Sequence, residues 1–345
     1  MKNGRDISQF EVIGQLRFPM IVLVTFAHSY GKVADDFSLL FSNWSMYEFL
    51  KLLVSQTLVK VAVPVFFIMS GYLFFRGLEQ WNRKVWIRKL VRRISTLLLP
   101  YLLWNLLMAL KLHDFNWHFF WDYDLQAGMQ IDWFGNEQWL IAPANLPLWF
   151  LRDLMVMALV SPIIWLAVKR IGIWLMTVLT VVYLSGVCAF IPGLSAYAIY
   201  FFTFGAFLSI RQKDLVATMQ HVEIPAYIVT IVLGVGMLLT YHMPVFSSLM
   251  LAFRITGAVS VFCLATRMLS HTQRRLPEVV CNASYFVYLA HYVFFLSFVD
   301  EIFFSLYGHS EVSLSIHYLL CPTLKVAIFV VVYALYRRLR TVFSF

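Results

Sequence analysis

Apolar residues run through this chain in long blocks. Ten are long enough to cross a hydrocarbon core of about 30 Å as helices. They fall at about residues 10–30, 57–75, 94–112, 147–168, 171–190, 195–210, 224–241, 247–268, 282–305 and 316–336. A helix satisfies its own backbone polar groups, so such blocks predict membrane-spanning helices. The expected fold class is therefore all-α, a polytopic membrane protein. Only Ile191-Pro-Gly-Leu194 separates the fifth block from the sixth. Pro64, Pro162 and Pro244 mark expected kinks or helix ends.

Charge between the blocks orients them. Lysine and arginine collect in alternate connections: at residues 76–93, at Lys169-Arg170, at Arg211 and Lys213, at residues 267–275 and at residues 337–340. Most acids fall in the other set, including Asp35, Asp36, Glu48, Asp114, Asp122, Asp124, Asp300 and Glu301. The positive-inside rule then predicts ten spans with both termini cytoplasmic. The net charge of +9 becomes a mark of topology, and no nucleic-acid partner is expected. At 61% hydrophobic and 13% charged, the composition points to the bilayer as the main solvent. One membrane domain is expected over residues 1–345, with no appended soluble domain. The N-terminus has no signal-peptide pattern. Cys188, Cys263, Cys281 and Cys321 stand alone in apolar segments, so no disulfide framework and no metal site are expected.

Against this background the polar residues inside the spans are the candidates for chemistry. Arg17 and His28 share the first span. Eleven residues put them on nearly the same helix face, roughly 16 Å apart along the axis. Arginine can hold a phosphate, and histidine can take a proton from a hydroxyl. The bland alternative is that Arg17 snorkels to headgroups and His28 sits near the outer interface. Ser70-Gly71 in the second span reads first as a small pair for close helix packing, with Ser70 as a nucleophile the sharper reading. The basic run containing Arg88, Arg92 and Arg93 can bind anionic lipid, fix topology or hold a nucleotide phosphate. Arg152-Asp153 is either a local pair or faces the acceptor side of a cavity. His291, about ten residues into the ninth block, is either a satisfied interhelical histidine or part of a site. The outer segment from about Lys111 to Leu146 is rich in aromatics and acids. It can stack on a sugar, form an interfacial belt, or lie on the membrane as an amphipathic helix.

These residues in this order resemble the acyltransferase-3 family of integral membrane acyltransferases. The matching features are Arg17-x10-His28, Phe66-Phe-Ile-Met-Ser-Gly-Tyr72, the basic run leading to Pro100-Tyr101, and Leu148-Trp-Phe-Leu151. Gly205-Ala-Phe-Leu208 and Ser284-x3-Tyr288-Leu-x-His291 complete the set. Each motif is short; the ordered set covers essentially the whole chain.

The resemblance implies transfer of an acyl group, often acetyl, from cytoplasmic acyl-coenzyme A to a hydroxyl of a surface or exported glycan. It places the main functional pair at Arg17 and His28, and carries family arginines onto Arg88, Arg92 and Arg93. No bound cofactor is implied; acyl-CoA is the donor substrate. The implied partners are that donor, a carbohydrate acceptor, the bilayer and other glycan-synthesis proteins. The implied location is the bacterial inner membrane. Direct transfer and an acyl-enzyme route both remain open. So do two other classes, a transporter or flippase of a polysaccharide or lipid-linked glycan, and a non-catalytic assembly partner.

Overall fold

The computed structural model describes residues 8–29, 33, 34, 37, 44–112, 129–133, 136–141, 143–186, 193–294 and 296–343. Cys188, Ile191, Pro192 and the aromatic stretch 113–128 lie outside these residues. Among the described residues, six helices are long and apolar enough to cross a membrane: Gln9–Ser29, Met46–Phe75, Arg83–Lys111, Leu146–Leu184, Val245–Thr272 and Glu311–Thr341. Ala196–Ile210 and Glu223–Leu239 are shorter apolar helices.

In chain order the elements begin with α1 (Gln9–Ser29), α2 (Met46–Leu50), α3 (Ala62–Phe75), α4 (Arg83–Arg93) and α5 (Leu99–Leu112). A hairpin follows, β1 (Met129–Trp133) and β2 (Asn136–Ile141). The remainder is α6 (Trp149–Leu184), α7 (Ala196–Ile210), α8 (Leu215–Gln220), α9 (Glu223–Leu239), α10 (Val245–Thr272), α11 (Glu278–Ala290), α12 (Ser297–Tyr307) and α13 (Glu311–Phe343). A π-helical stretch, Lys51–Thr57, and a 3-10 turn, Leu58–Val61, join α2 to α3. The chain divides into two compact units, residues 1–66 with 216–345, and residues 67–215.

In the first unit the helices run in directions that the side-chain contacts make plain. Glu11 pairs with Arg275, Gln15 bonds the Leu276 backbone, and the rings of His28 and His291 meet. So α1 and α11 lie side by side and parallel. Glu278 pairs with Arg337, and Phe286 packs on Phe329 and Tyr333, so α13 runs antiparallel to α11. Glu311 receives the Met46 N–H and Tyr318 bonds Ser55, so α13 runs parallel to the stretch that opens with α2. Glu223 with Arg267 and Thr230 with Ser260 make α9 and α10 antiparallel.

The second unit shows how the sequence handles prolines and glycines. A helix of 36 residues is about 54 Å long, too long for one crossing. It breaks at Ile171 (φ −124°, ψ 19°), between the fourth and fifth predicted spans, where Arg211 Nη2 donates to the Val168 carbonyl at 3.0 Å. The break is not at Pro162. There the missing proline N–H frees the Ala158 carbonyl, which accepts instead from Ser161 Oγ (2.6 Å) and Trp86 Nε1 (3.2 Å). Helices α3 and α7 cross through reciprocal glycines. A Cβ on Gly71 would strike the Phe202 carbonyl, and one on Gly205 the Ile68 carbonyl. Tyr72 also donates to the Lys213 carbonyl at 3.3 Å.

Two expectations change. The outer segment, offered above as an amphipathic helix among other readings, contains an antiparallel hairpin, with Ile131 opposite Gln138 and Trp133 opposite Asn136. Met129-Gln-Ile-Asp-Trp133 alternates apolar and polar residues, a period that suits a strand. The fold is thus helical apart from one hairpin among the described residues. The ninth block is not one helix. It stops at Ala290, turns through residues 291–293, passes Leu296 in the left-handed region (φ 48°), and restarts as α12. The block contains neither glycine nor proline, so nothing in its apolar pattern marks the break.

Candidate functional site

Helix α1 ends in the first unit's interior. Leu16, Met20, Ile21, Val24 and Phe26 are buried. Phe26 forms a small core with Val59 and Tyr318. Ser55 ties this core together, donating to the Phe26 carbonyl at 3.1 Å and sharing a 2.6 Å hydrogen bond with the Tyr318 hydroxyl. His28 stands two residues beyond Phe26, so its backbone is held by packing on the turn below it.

The His28 ring is half-buried and makes no hydrogen bond among the described residues. It faces two rings. His291 is 5.5 Å away between centroids, and Tyr292 lies edge-on at 5.6 Å. His291 is the C-cap residue of α11 and is 6% exposed. Its Nδ1 lies 2.8 Å from the Tyr288 carbonyl and 3.2 Å from that of Val287. Carbonyls only accept, so Nδ1 carries the proton and Nε2 presents a lone pair. That Nε2 is buried and has no hydrogen-bond partner among the described residues. Buried polar atoms are normally paired, and an exception asks for an explanation. Two imidazoles thus converge, one fixed with an open acceptor, the other with no internal bond to break before it acts.

Arg17 lies on the same helix, roughly 16 Å back along α1. It is exposed and makes no ion pair among the described residues, but lies within electrostatic range of Cys281 on α11. The parallel helices therefore carry two matched levels, Arg17 beside Cys281 and His28 beside His291.

The remaining sequence candidates belong to the second unit. Ser70 is half-buried without a hydrogen bond, and the described part of that unit holds no histidine to activate it. Its neighbour Gly71 serves the close crossing of α3 and α7. Arg88 and Arg92 are exposed on α4, whereas Arg93 covers the Phe74 ring at 5.4 Å beside Lys89 at 4.9 Å. Arg152 donates through Nε and Nη2 to Asp153 Oδ1 at 3.1 and 3.0 Å. The second Asp153 oxygen accepts from Ser195 at 2.8 Å, and Ser195 caps α7 through the Ala198 N–H. Asp153 is fully buried with both oxygens taken, so the pair ties the start of α6 to the start of α7.

One cluster is absent from the sequence reading. Asp300 on α12 accepts from His317 Nε2 at 2.9 Å and from Lys325 Nζ at 2.6 Å, both on α13. His317, Cys321 and Lys325 recur every four residues, which puts them on one helix face; that spacing was the available signal. Asp300, His317 and Cys321 offer ligand-type atoms within 4.8 Å of one another. With the Lys325 ammonium already on the carboxylate, the group reads as an ion pair to which the His317 imidazole adds a hydrogen bond. Cys263, Cys281 and Cys321 are free and buried.

The comparisons with known proteins bear on all of this. The succinoglycan biosynthesis protein ExoH of Rhizobium meliloti (strain 1021) is 28% identical over 172 residues. That match covers 46% of this chain and 43% of ExoH, so less than half of the relative is spanned. No solved structure matches. The family described as an acyltransferase domain matches residues 12–337, nearly the whole chain and every residue of the two-histidine site. The chain belongs to the acyltransferase-3 family.

Proposed function

We propose that this protein is a membrane O-acyltransferase that moves an acyl group, acetyl in the first instance, from cytoplasmic acyl-CoA to a hydroxyl of an exported or surface glycan. The observation that carries the chemistry is the His28–His291 pair, in which, among the described residues, an unpartnered Nε2 stands beside an imidazole that makes no hydrogen bond. In the direct route His28 takes the proton of the acceptor hydroxyl while that oxygen attacks the thioester carbonyl. The C–O bond forms, the C–S bond breaks, and the imidazolium returns the proton to the departing thiolate. Arg17, toward the opposite end of α1, binds an anionic part of the donor. Arg88 and Arg92 on α4 are exposed to phosphates, of a nucleotide or of lipid headgroups.

The topology is part of the reading. Ten crossings with cytoplasmic termini require the first and ninth spans to be parallel, and the second and tenth likewise. The parallel courses of α1 with α11, and of the α2 stretch with α13, support this count. The same topology puts Arg17 toward the cytoplasm and His28 toward the far side, in a bacterial inner membrane. ExoH, named for succinoglycan biosynthesis, favours a glycan acceptor.

The test uses the purified full chain with acetyl-CoA and glycan from cells lacking the protein. The expected result is free coenzyme A together with an acyl mass on the glycan. Glycan movement without thioester turnover would assign a flippase instead.

A further inference from the structure

Lys60 is a cation in the wrong place for a simple apolar span. It is the fifteenth of the thirty residues in the helical run Met46–Phe75. By helical rise it lies roughly 20 Å from either end, beyond the reach of a lysine that snorkels to a headgroup. Its turn, Leu58–Val61, packs on α1 and α10. Two neighbours follow from that packing. The ammonium acts electrostatically on the His28 imidazole. On the other side, Val61 presses so closely on Gly257 that a Cβ there would overlap it, and Arg254, one turn before Gly257, acts on Lys60.

Among the described residues no carboxylate answers the charge at Lys60. Its Nζ donates to the neutral amide oxygen of Gln56 at 3.3 Å. Among the described residues of this unit the acids are committed elsewhere. Glu11 holds Arg275, Glu48 holds Lys51, Glu223 holds Arg267, Glu278 holds Arg337, Asp300 holds His317 and Lys325, and Glu311 takes the Met46 N–H. Glu301 is exposed on α12. An ammonium at membrane depth without a counter-charge is costly, and such residues mark a ligand or ion path.

We propose that Lys60, with Arg254 behind it, is an anion-binding site beside His28 that takes an anionic oxygen group of a substrate. The shared chemistry is a carboxylate or phosphate. It has two sources here: a phosphate of the donor nucleotide, or a carboxylate on the acyl group being transferred. The proposal rests on the acyl-transfer reading for its choice of ligands. Bound there, the anion supplies the counter-charge, and a carboxylate on the acyl group also places the thioester beside His28.

The experiment measures binding and turnover of free coenzyme A, acetyl-CoA and succinyl-CoA by the purified full chain and by Lys60→Met and Lys60→Arg. A phosphate source predicts that Lys60→Met weakens all three ligands by about tenfold or more. A carboxylate source predicts that loss for succinyl-CoA alone. In both cases Lys60→Arg retains most of the affinity. Lys60→Gln repeats the test if Lys60→Met does not fold. A folded Lys60→Met or Lys60→Gln protein with parental affinity for all three ligands overturns the anion site while leaving acyl transfer intact. A parental protein that neither binds nor turns over any thioester overturns the acyl-transfer reading instead.

Discussion

Asp300, His317 and Lys325 answer one another, whereas His28, His291 and Lys60 do not. Both groups lie in the same unit, and both put ionisable side chains within apolar helices. In the first, a carboxylate spends one oxygen on an imidazole and the other on an ammonium. In the second, among the described residues, one imidazole has no hydrogen bond, another keeps an idle Nε2, and an ammonium has only an amide oxygen. A satisfied cluster fastens helices together. An unsatisfied one costs folding energy that a bound substrate can return.

The contrast is breakable. The largest expected effect is on chemistry. His28→Ala should lower acyl transfer by about 10²- to 10⁴-fold, the usual contribution of a general base. Its thermal unfolding midpoint should stay close to the parental one. A variant that unfolds early and transfers normally when folded would make His28 structural. Next comes Asp300→Leu, which strands the buried Lys325 ammonium and leaves the His317 N–H without its acceptor, and should cost about 3–5 kcal/mol. Chemical unfolding in detergent would read that loss, with activity per folded molecule unchanged. The smallest effect sharpens the difference. His291→Leu removes an unpaired buried acceptor but also the Nδ1 donor on the Tyr288 carbonyl, so stability should change by no more than about 1 kcal/mol while transfer falls. A large loss of stability there would move His291 into the satisfied class.

The sequence alone made much of this arrangement legible. Apolar block length predicts most helices, because length and hydropathy are what a bilayer selects. The boundary between the fourth and fifth predicted spans falls at the break at Ile171, although Pro162 offered a more obvious breaker. Arg17 and His28 stood out because they are polar within one span. Their partner His291 was visible only as another intramembrane histidine, since the parallel contact of α1 and α11 joins residues more than 260 positions apart. Asp300 was hidden for a different reason. As an acid in a predicted outer segment it needed no partner, until the break after Ala290 brought α12 against α13. The second predicted block begins at about residue 57, close to Lys60, and only the joining of α2 to α3 in one run places that lysine at the middle. The hairpin was masked by its aromatics, which drew attention away from the alternation of residues 129–133.

The early stop of α11 has a further consequence. Its 13 residues reach about 20 Å, some two-thirds of a bilayer core. A helix that stops short leaves its last carbonyls exposed, and hydrocarbon offers them nothing. Here the chain supplies the donors: the Val287 carbonyl accepts from the His291 backbone N–H at 2.9 Å, the Tyr288 carbonyl from the His291 ring at 2.8 Å, and the Ala290 carbonyl from the Phe294 N–H at 2.9 Å. The break is thus closed by the chain itself, and the His291 ring serves both the end of the helix and the site.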